Sequence, residues 1–184
     1  MRAVFLDRDG TINKEINILR DIKQLKILPK VGEAIKAFNR LGFLVIIITN
    51  QAVVARGWLT EKEVDHIHGV LIKRLSRKGA KIDAIYFCPH HPEGNLKKYR
   101  VRCRCRKPNP GMILEATKKF KIDFKKSFMI GDHTRDILAG KKAKLKTILV
   151  KTGYAGKDGH HDIKPDFIAK NLFEAVKIVK KYAK

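Results

Sequence analysis

Acidic residues follow two short apolar segments of the chain, and their spacing is suited to binding a metal ion. Asp7 and Asp9 are separated by one residue and come directly after the first apolar segment, and Asp132 and Asp136 follow another. Like charges this close repel one another unless a cation neutralises them, and Mg²⁺ prefers oxygen ligands of this kind. These four residues therefore indicate a magnesium site, provided that the fold brings the two segments together.

Residues that can hold a phosphate group occur between the two acidic segments. Thr49, Asn50 and Gln51 come at the end of an apolar run that begins at Phe43, and they offer a hydroxyl and two amides to phosphate oxygens. Lys107 lies just before a helix expected to begin near Pro110. An ammonium, a hydroxyl and a metal ion together stabilise the charge of a transferring phosphoryl group.

The elements that must position these side chains alternate between apolar runs and helical patterns. The predicted strands cover 4–6, 43–49, 83–88, 128–130, 148–150 and 167–168. The predicted helices cover 31–41, 60–78, 110–120, 137–144 and a last segment from about 171. This order predicts an α/β fold with a doubly wound, Rossmann-like parallel sheet, in a single domain spanning 1–184. Ligands of such sheets bind beyond the carboxyl ends of the strands, where the residues above are expected to meet.

Taken together and in this order, these residues resemble the haloacid dehalogenase-like (HAD-like) phosphohydrolases. The matching parts are Asp7-Arg8-Asp9-Gly10-Thr11, Thr49, Lys107 and Gly131-Asp132 with the further acid Asp136. The resemblance covers the whole chain and implies hydrolysis of a phosphomonoester through an aspartyl-phosphate intermediate. It also implies a HAD-type fold, here without room for a large cap domain.

The resemblance assigns roles that are chemically reasonable. Asp7 would be the nucleophile, and Asp9 would protonate the leaving oxygen and later activate water. Mg²⁺ would be bound by Asp7, the Asp9 backbone carbonyl and Asp132. Asp136 would not bind the ion directly but would hold these ligands in position. In the same scheme Thr49, Asn50 and Lys107 would bind the substrate phosphate.

The three cysteines of the chain lie in one loop, together with two histidines. Cys88 is followed by His90 and His91, and Cys103 and Cys105 follow after a basic stretch. Three thiolates and one imidazole complete a tetrahedral zinc site and leave no position for water, which indicates a structural Zn²⁺ that clips residues 88–109. On chemistry alone, either histidine can be the fourth ligand.

This loop resembles that of the D-glycero-D-manno-heptose 1,7-bisphosphate phosphatases and, in a shorter version, of the histidinol-phosphate phosphatases. The matching segments are CPHHPEG, CRCRKPNPGM, DRDGTIN and TNQ followed by ARG. By position, the resemblance implies Cys88, His90, Cys103 and Cys105 as zinc ligands, and Arg56, Arg106 and Lys107 as substrate contacts. The chain departs from the family at Ala52-Val53-Val54 and at KEINILRDIKQ after Asn13, two segments expected to border the substrate.

Three alternatives to a heptose bisphosphatase follow from the same residues. Histidinol-phosphate phosphatase is disfavoured by the long loop between His90 and Cys103. A polynucleotide 3′-phosphatase is favoured by the basic charge but not by the zinc loop. A nucleic-acid-binding module without activity is disfavoured because it would have no need of the intact set of aspartates, Thr49 and Lys107.

The composition is strongly basic, with 41 Lys and Arg against 18 acids and a net charge of +23. The lysines are spread along the chain on expected outer helix faces, so we interpret the charge as a Lys-rich surface. The sequence has no signal-peptide pattern and no membrane-spanning run, so the expectation is a cytoplasmic protein with reduced thiols and no membrane partner. We expect a monomer that acts on a small phosphorylated metabolite, most simply a sugar bisphosphate.

Overall fold

A parallel β-sheet forms the centre of the molecule. The computed structural model describes residues 1–182 and contains in that range a sheet of six strands in the order β3-β2-β1-β4-β5-β6, with every neighbouring pair parallel. The strands are β1 (Arg2–Leu6), β2 (Phe43–Asn50), β3 (Ala84–Cys88), β4 (Phe128–Gly131), β5 (Lys146–Val150) and β6 (Phe167–Ala169). This order reverses between β1 and β4, the point at which doubly wound sheets bind ligands.

Helices cover both faces of the sheet, which confirms the doubly wound prediction. They are α1 (Val31–Arg40), α2 (Glu61–Ser76), α3 (Gly111–Lys119), α4 (Thr134–Lys142) and α5 (Leu172–Tyr182). Successive strand residues face opposite sides. Val4 therefore packs in the cluster with α1, α2 and α5, whereas Phe5 packs in the cluster with α3 and α4.

Local signals set most element boundaries. Thr60 and Glu63 form the predicted capping box at the start of α2, with the Glu63 backbone N–H donating to Thr60 Oγ1 at 3.2 Å. Gly42 follows α1 with a φ of 76°, a left-handed conformation that glycine adopts without steric cost.

Helix α4 begins earlier than the sequence pattern predicts. The apolar period begins at Ile137, but the helix begins at Thr134, so Asp136 lies in its first turn and not in a preceding loop. The reason is a capping box at the N-terminus of α4, in which the His133 backbone N–H donates to Asp136 Oδ2 at 3.1 Å. None of the helices in the described chain is both long enough and apolar enough to cross a membrane.

Candidate active site

The strand ends bring three predicted site residues to one edge of the sheet. Asp7 follows β1, Asp132 follows β4, and Thr49 is the penultimate residue of β2. Because β1 lies between β2 and β4, these residues are neighbours. The Asp7 backbone N–H extends the ladder by donating to Ile130 O at 3.0 Å, which fixes the position from which the Asp7 carboxylate emerges.

Lys107 connects the aspartates that follow different strands. Its side chain is only 2% exposed, and Nζ lies 2.8 Å from Asp7 Oδ1 and 2.7 Å from Asp136 Oδ1. The same ammonium donates to Ile48 O at 2.9 Å, so all three of its protons have an acceptor. Burial by itself would lower the pKa of Lys107, but Asp136 and Asp7 outweigh it and raise the pKa, so the ammonium stays charged.

Asn50 holds the backbone of Lys107 in place. Asn50 Nδ2 donates to Lys107 O at 3.0 Å, and the Lys107 backbone N–H donates to Asn50 Oδ1 at 3.0 Å. That Asn50 binds substrate stays a prediction: Asn50 lines the pocket over Asp7, and both polar atoms of its amide also hydrogen-bond to the loop that carries Lys107. Its side chain therefore ties that loop to the end of β2.

Burial raises the pKa of Asp7, and the negative charge of Asp136 adds to this effect. Lys107 lowers it in part, and the Arg8 backbone N–H donates to the same Oδ1 at 2.7 Å. The ammonium of Lys107 therefore opposes, in part, the increase in the pKa of Asp7 that burial and Asp136 cause.

Asp9 lies against a set of donors that sequence reasoning did not identify. Its carboxylate accepts from Arg8 Nη2 at 2.7 Å, Asn13 Nδ2 at 2.8 Å and Gln51 Nε2 at 3.0 Å. Burial opposes ionisation of Asp9, but the Arg8 charge and these hydrogen bonds outweigh it, so its pKa is lowered. These contacts therefore favour the ionised form of Asp9. The Gln51 amide also donates a hydrogen bond to Thr49 Oγ1 at 2.9 Å.

Asp132 is fully buried in a site built around its carboxylate. Its Oδ1 accepts from the Thr11 hydroxyl at 3.3 Å, and its Oδ2 accepts from the Tyr154 backbone N–H at 2.8 Å. Gly10 has a φ of 77°, and a Cβ there would lie 2.3 Å from Asp132 Oδ2. Glycine at this position therefore allows the β1 loop to approach the aspartate.

The carboxylates at this edge fit a divalent cation. Ligand atoms of Asp7, Asp132, His133 and Asp136 all lie within 4.8 Å of one another, and all four residues are buried. Three buried carboxylates facing one lysine leave net negative charge, and hard cations such as Mg²⁺ prefer oxygen ligands. His133 is a neighbour that the sequence did not suggest, and its Nδ1 lies 3.2 Å from Asp132 Oδ2.

An open pocket of about 300 Å³ lies over Asp7, Asp9 and Thr49. The two departing segments border it as expected, through residues that include Ala52, Val53, Glu15 and Asn17. Arg56 and Arg106 also line it, as does Arg135, which the sequence did not identify. Among residues 1–182, no carboxylate forms an ion pair with any of these three arginines.

The cysteine loop forms a four-residue cluster beside this pocket. Cys105 Sγ lies 3.1 Å from Cys88 Sγ and 3.2 Å from Cys103 Sγ, and His90 Nδ1 lies 3.4 Å from Cys105 Sγ. These separations are far longer than a disulfide bond, and although the sulfurs lie closer together than the roughly 3.8 Å expected around a zinc ion, all four ligand atoms converge on one point. His90 and not His91 joins the cluster, since His91 Nδ1 accepts from the Glu93 backbone N–H at 3.1 Å.

Comparison with known proteins identifies relatives over most of the chain. A family model described as HAD-hydrolase-like matches residues 104–175. The D-glycero-β-D-manno-heptose-1,7-bisphosphate 7-phosphatase of Pasteurella multocida is 43% identical over 153 residues, 83% of each chain. The D-glycero-α-D-manno-heptose-1,7-bisphosphate 7-phosphatase of Photorhabdus laumondii is 39% identical over 180 residues, 97% of each chain.

Solved structures of similar fold also match nearly the whole chain. The D,D-heptose 1,7-bisphosphate phosphatase of B. bronchiseptica, complexed with magnesium and phosphate, superposes with a TM-score of 0.85 at 27% identity and covers 98% of this chain and 99% of its own. The corresponding enzyme of Burkholderia thailandensis gives a TM-score of 0.70 at 25% identity, with 97% of each chain covered.

Proposed function

Because the chain belongs to the family of the D-glycero-D-manno-heptose-1,7-bisphosphate 7-phosphatases, we propose that it removes the C7 phosphate of a heptose 1,7-bisphosphate. The observation that carries this proposal is the meeting of Asp7, Lys107 and Asp132 at the edge of the sheet beneath an open pocket. Each comes from a different segment, and together they supply a nucleophile, a fixed cation and a metal ligand.

In this proposal Asp7 attacks the phosphorus atom. A bond forms between its carboxylate and phosphorus while the bond from phosphorus to the sugar oxygen breaks, which gives an aspartyl phosphate. Lys107 favours the ionised carboxylate and, with the Arg8 backbone N–H, holds Oδ1 in one place. Mg²⁺ bound by Asp7, the Asp9 carbonyl and Asp132, with Asp136 behind, would supply positive charge to the transferring oxygens.

Asp9 would move the proton in both half-reactions. As an acid it protonates the sugar oxygen that leaves, and as the resulting carboxylate it takes a proton from the water that attacks the aspartyl phosphate. Its contacts with Arg8, Asn13 and Gln51 stabilise the carboxylate form. Asp9 must therefore leave Arg8 to carry a proton, and an incoming phosphate dianion favours this because it raises the proton affinity of a nearby carboxylate.

In the same proposal Thr49 would bind the transferring phosphate directly. Because Gln51 donates to Thr49 Oγ1, the proton of the Thr49 hydroxyl is available for a phosphoryl oxygen. Asn50 contributes indirectly, by holding the loop that presents Lys107.

A second anion site on the pocket wall accounts for a bisphosphate substrate. Arg106 is held by a hydrogen bond from Nη1 to His90 O at 3.0 Å, and burial together with the charges of Arg135 and Arg56 lowers its pKa. Like charges gathered without a carboxylate partner favour binding of an anion, and arginine can bind phosphate in a bidentate way. We assign the phosphate that is not hydrolysed to this wall.

We assign Zn²⁺ to Cys88, His90, Cys103 and Cys105. The four ligand atoms all lie within 4.8 Å of one another, and a set of three thiolates and one imidazole leaves no coordination position for water. Zinc in this position would order the loop that carries Arg106 and Lys107, and it would take no direct part in the chemistry.

Phosphate release with added Mg²⁺ tests the proposal. Heptose 1,7-bisphosphate should be hydrolysed faster than histidinol phosphate or a 3′-phosphorylated oligonucleotide, and Asp7→Asn, nearly isosteric but not nucleophilic, should have no measurable turnover. Faster release from the oligonucleotide would replace the sugar with a polynucleotide substrate. Turnover of Asp7→Asn within about tenfold of wild type would exclude the covalent intermediate.

The second anion site has its own test. Arg106→Ala should lower kcat/KM for the bisphosphate much more than for an aryl phosphate, since only the former has a second phosphate to bind. Arg104→Ala is the matched control, because Arg104 is exposed in the same loop and lies outside the pocket lining of the described chain. Equal losses on both substrates in Arg106→Ala would contradict the assignment.

A further inference from the structure

An arginine next to the nucleophile is buried with an unusual set of partners. Arg8 is 1% exposed, and its guanidinium faces Asp9 through Nε and Nη2, at 3.2 Å and 3.0 Å from Oδ1. The remaining nitrogen, Nη1, lies 3.1 Å from His68 Nε2. The guanidinium therefore spans the space between the carboxylate of Asp9 and a histidine of α2.

His68 is fixed on the inward face of its helix. It is 4% exposed, and its ring packs edge-on against Phe87 at 5.5 Å between centroids. Burial, helped by the positive charge of Arg8, lowers the pKa of His68 to about 3, so the ring is neutral at physiological pH. A neutral Nε2 can accept the hydrogen bond from Arg8 Nη1, and the acceptor is rigid because both the helix and Phe87 hold it.

We propose that His68 is a positioning residue: by accepting a hydrogen bond from Arg8, it fixes the position in which Arg8 holds the ionised carboxylate of Asp9 before each proton transfer. This inference rests on the proposed acid–base role of Asp9. Without the hydrogen bond to His68, the Arg8 guanidinium can move with Asp9 or rotate away from it. The Asp9 carboxylate then no longer has one fixed binding position. The proton balance is unchanged: Asp9 gives a proton to the leaving oxygen and regains one from the attacking water.

The test compares substrates that differ in their need for an acid. An alkyl phosphate requires protonation of its leaving oxygen, whereas 2,4-dinitrophenyl phosphate does not, and kcat/KM reports the step in which that oxygen leaves. His68→Leu removes the acceptor, and His68→Gln restores one at the place of Nε2. We expect His68→Leu to lose about tenfold or more in kcat/KM on the alkyl phosphate, part of the roughly 10²–10⁴-fold that a general acid contributes. We expect it to lose little on the aryl phosphate, with recovery in His68→Gln.

Asp9→Asn separates failure of this inference from failure of the proposed function. Asp9→Asn should show the same selective loss, and His68→Leu added to Asp9→Asn should cause no further loss, because His68 acts through Asp9. A non-selective loss in Asp9→Asn would overturn the acid role itself. A selective loss in Asp9→Asn with equal losses on both substrates in His68→Leu would overturn only the role of His68.

Discussion

Replacing Lys107 with methionine removes the ammonium between Asp7 and Asp136 and keeps a side chain of similar length. In the native protein each ion pair, at 2.8 Å and 2.7 Å, is worth about 6 kcal/mol at an effective dielectric constant of about 20. These attractions are opposed by the desolvation of three buried groups, so their sum is not the stability that the lysine contributes.

The cost of the substitution can be bounded from the two aspartates that remain. Their ligand oxygens lie within 4.8 Å of each other, so their repulsion is at least about 3.5 kcal/mol at the same dielectric constant. One carboxyl can escape by taking a proton, and pH 7 lies 3.2 pH units above the ordinary pKa of 3.8, which limits the cost to about 4.4 kcal/mol. We therefore expect Lys107→Met to lose about 4 kcal/mol at pH 7, in the range of about 3–5 kcal/mol for breaking a buried pair.

The pH dependence of this loss follows from the same reasoning. In Lys107→Met the folded-state pKa of an aspartate is raised, so the penalty is complete above that pKa, shrinks as the pH falls below it and vanishes near the ordinary pKa of 3.8. At pH 5 protonation is easier, and the loss should shrink to roughly 1.6 kcal/mol, since each pH unit is worth about 1.36 kcal/mol.

Thermal unfolding in buffer without added Mg²⁺ measures the effect, because the structural zinc is then left in place. About 4 kcal/mol corresponds to a fall in Tm of about 8–16 °C for a chain of this size. Lys81→Met is the matched control: Lys81 lies 2.7 Å from Asp83 but is 75% exposed, so its Tm should stay close to wild type. Turnover of Lys107→Met with Mg²⁺ should fall about 10²–10³-fold. A Tm within the error of wild type at pH 7, or no recovery at pH 5, would refute the electrostatic account.

Two further predictions concern the metal loop and the buried histidine. The purified protein should contain about one zinc per chain, and Cys105→Ser should lose most of it and make residues 88–109 sensitive to protease; a wild-type protein free of zinc would exclude the site. Because the folded-state pKa of His68, about 3, lies below its ordinary value of 6.5, the unfolded chain binds the proton first. The free energy of unfolding should therefore fall by about 2 kcal/mol between pH 7 and pH 5 on account of this residue. Urea titrations measure it at each pH, and a His68→Gln protein whose free energy of unfolding fell as much as that of the wild type would contradict this.

The fold was predictable where local chemistry and tertiary packing agree. The fully apolar run from Phe43 predicted a central parallel strand, and the capping box of Thr60 and Glu63 predicted the start of α2. The start of α4 was missed because a histidine at the N-cap gives no strong sequence signal. Its box depends on the Asp136 side chain, which also contacts Lys107 from a distant loop.

Some residues of the candidate site could likewise be predicted from the sequence, and others could not. Asp7, Thr49 and Asp132 could be placed from the topology alone, because the ends of neighbouring parallel strands meet at one edge. The contact between Arg8 and His68 could not, because it joins residues 60 positions apart and both are of types that are usually exposed or half-buried. One signal was available: the period of α2 puts His68 on the same face as Val64, Ile67 and Leu71.

The zinc loop and the reacting centre are adjoining parts of one segment, and this adjacency has a functional consequence. The Arg106 backbone N–H donates to Cys103 Sγ at 3.4 Å, and Asn50 fixes the backbone of the next residue, Lys107, from the end of β2. Under the proposed assignment, zinc would hold one side of the Lys107 segment, and the sheet holds the other. Loss of zinc should lower kcat even though zinc touches no reacting atom, whereas removal of Mg²⁺ should abolish turnover with the loop intact. The two metals are thus distinguished by protease sensitivity at 88–109, which should follow zinc content and not Mg²⁺.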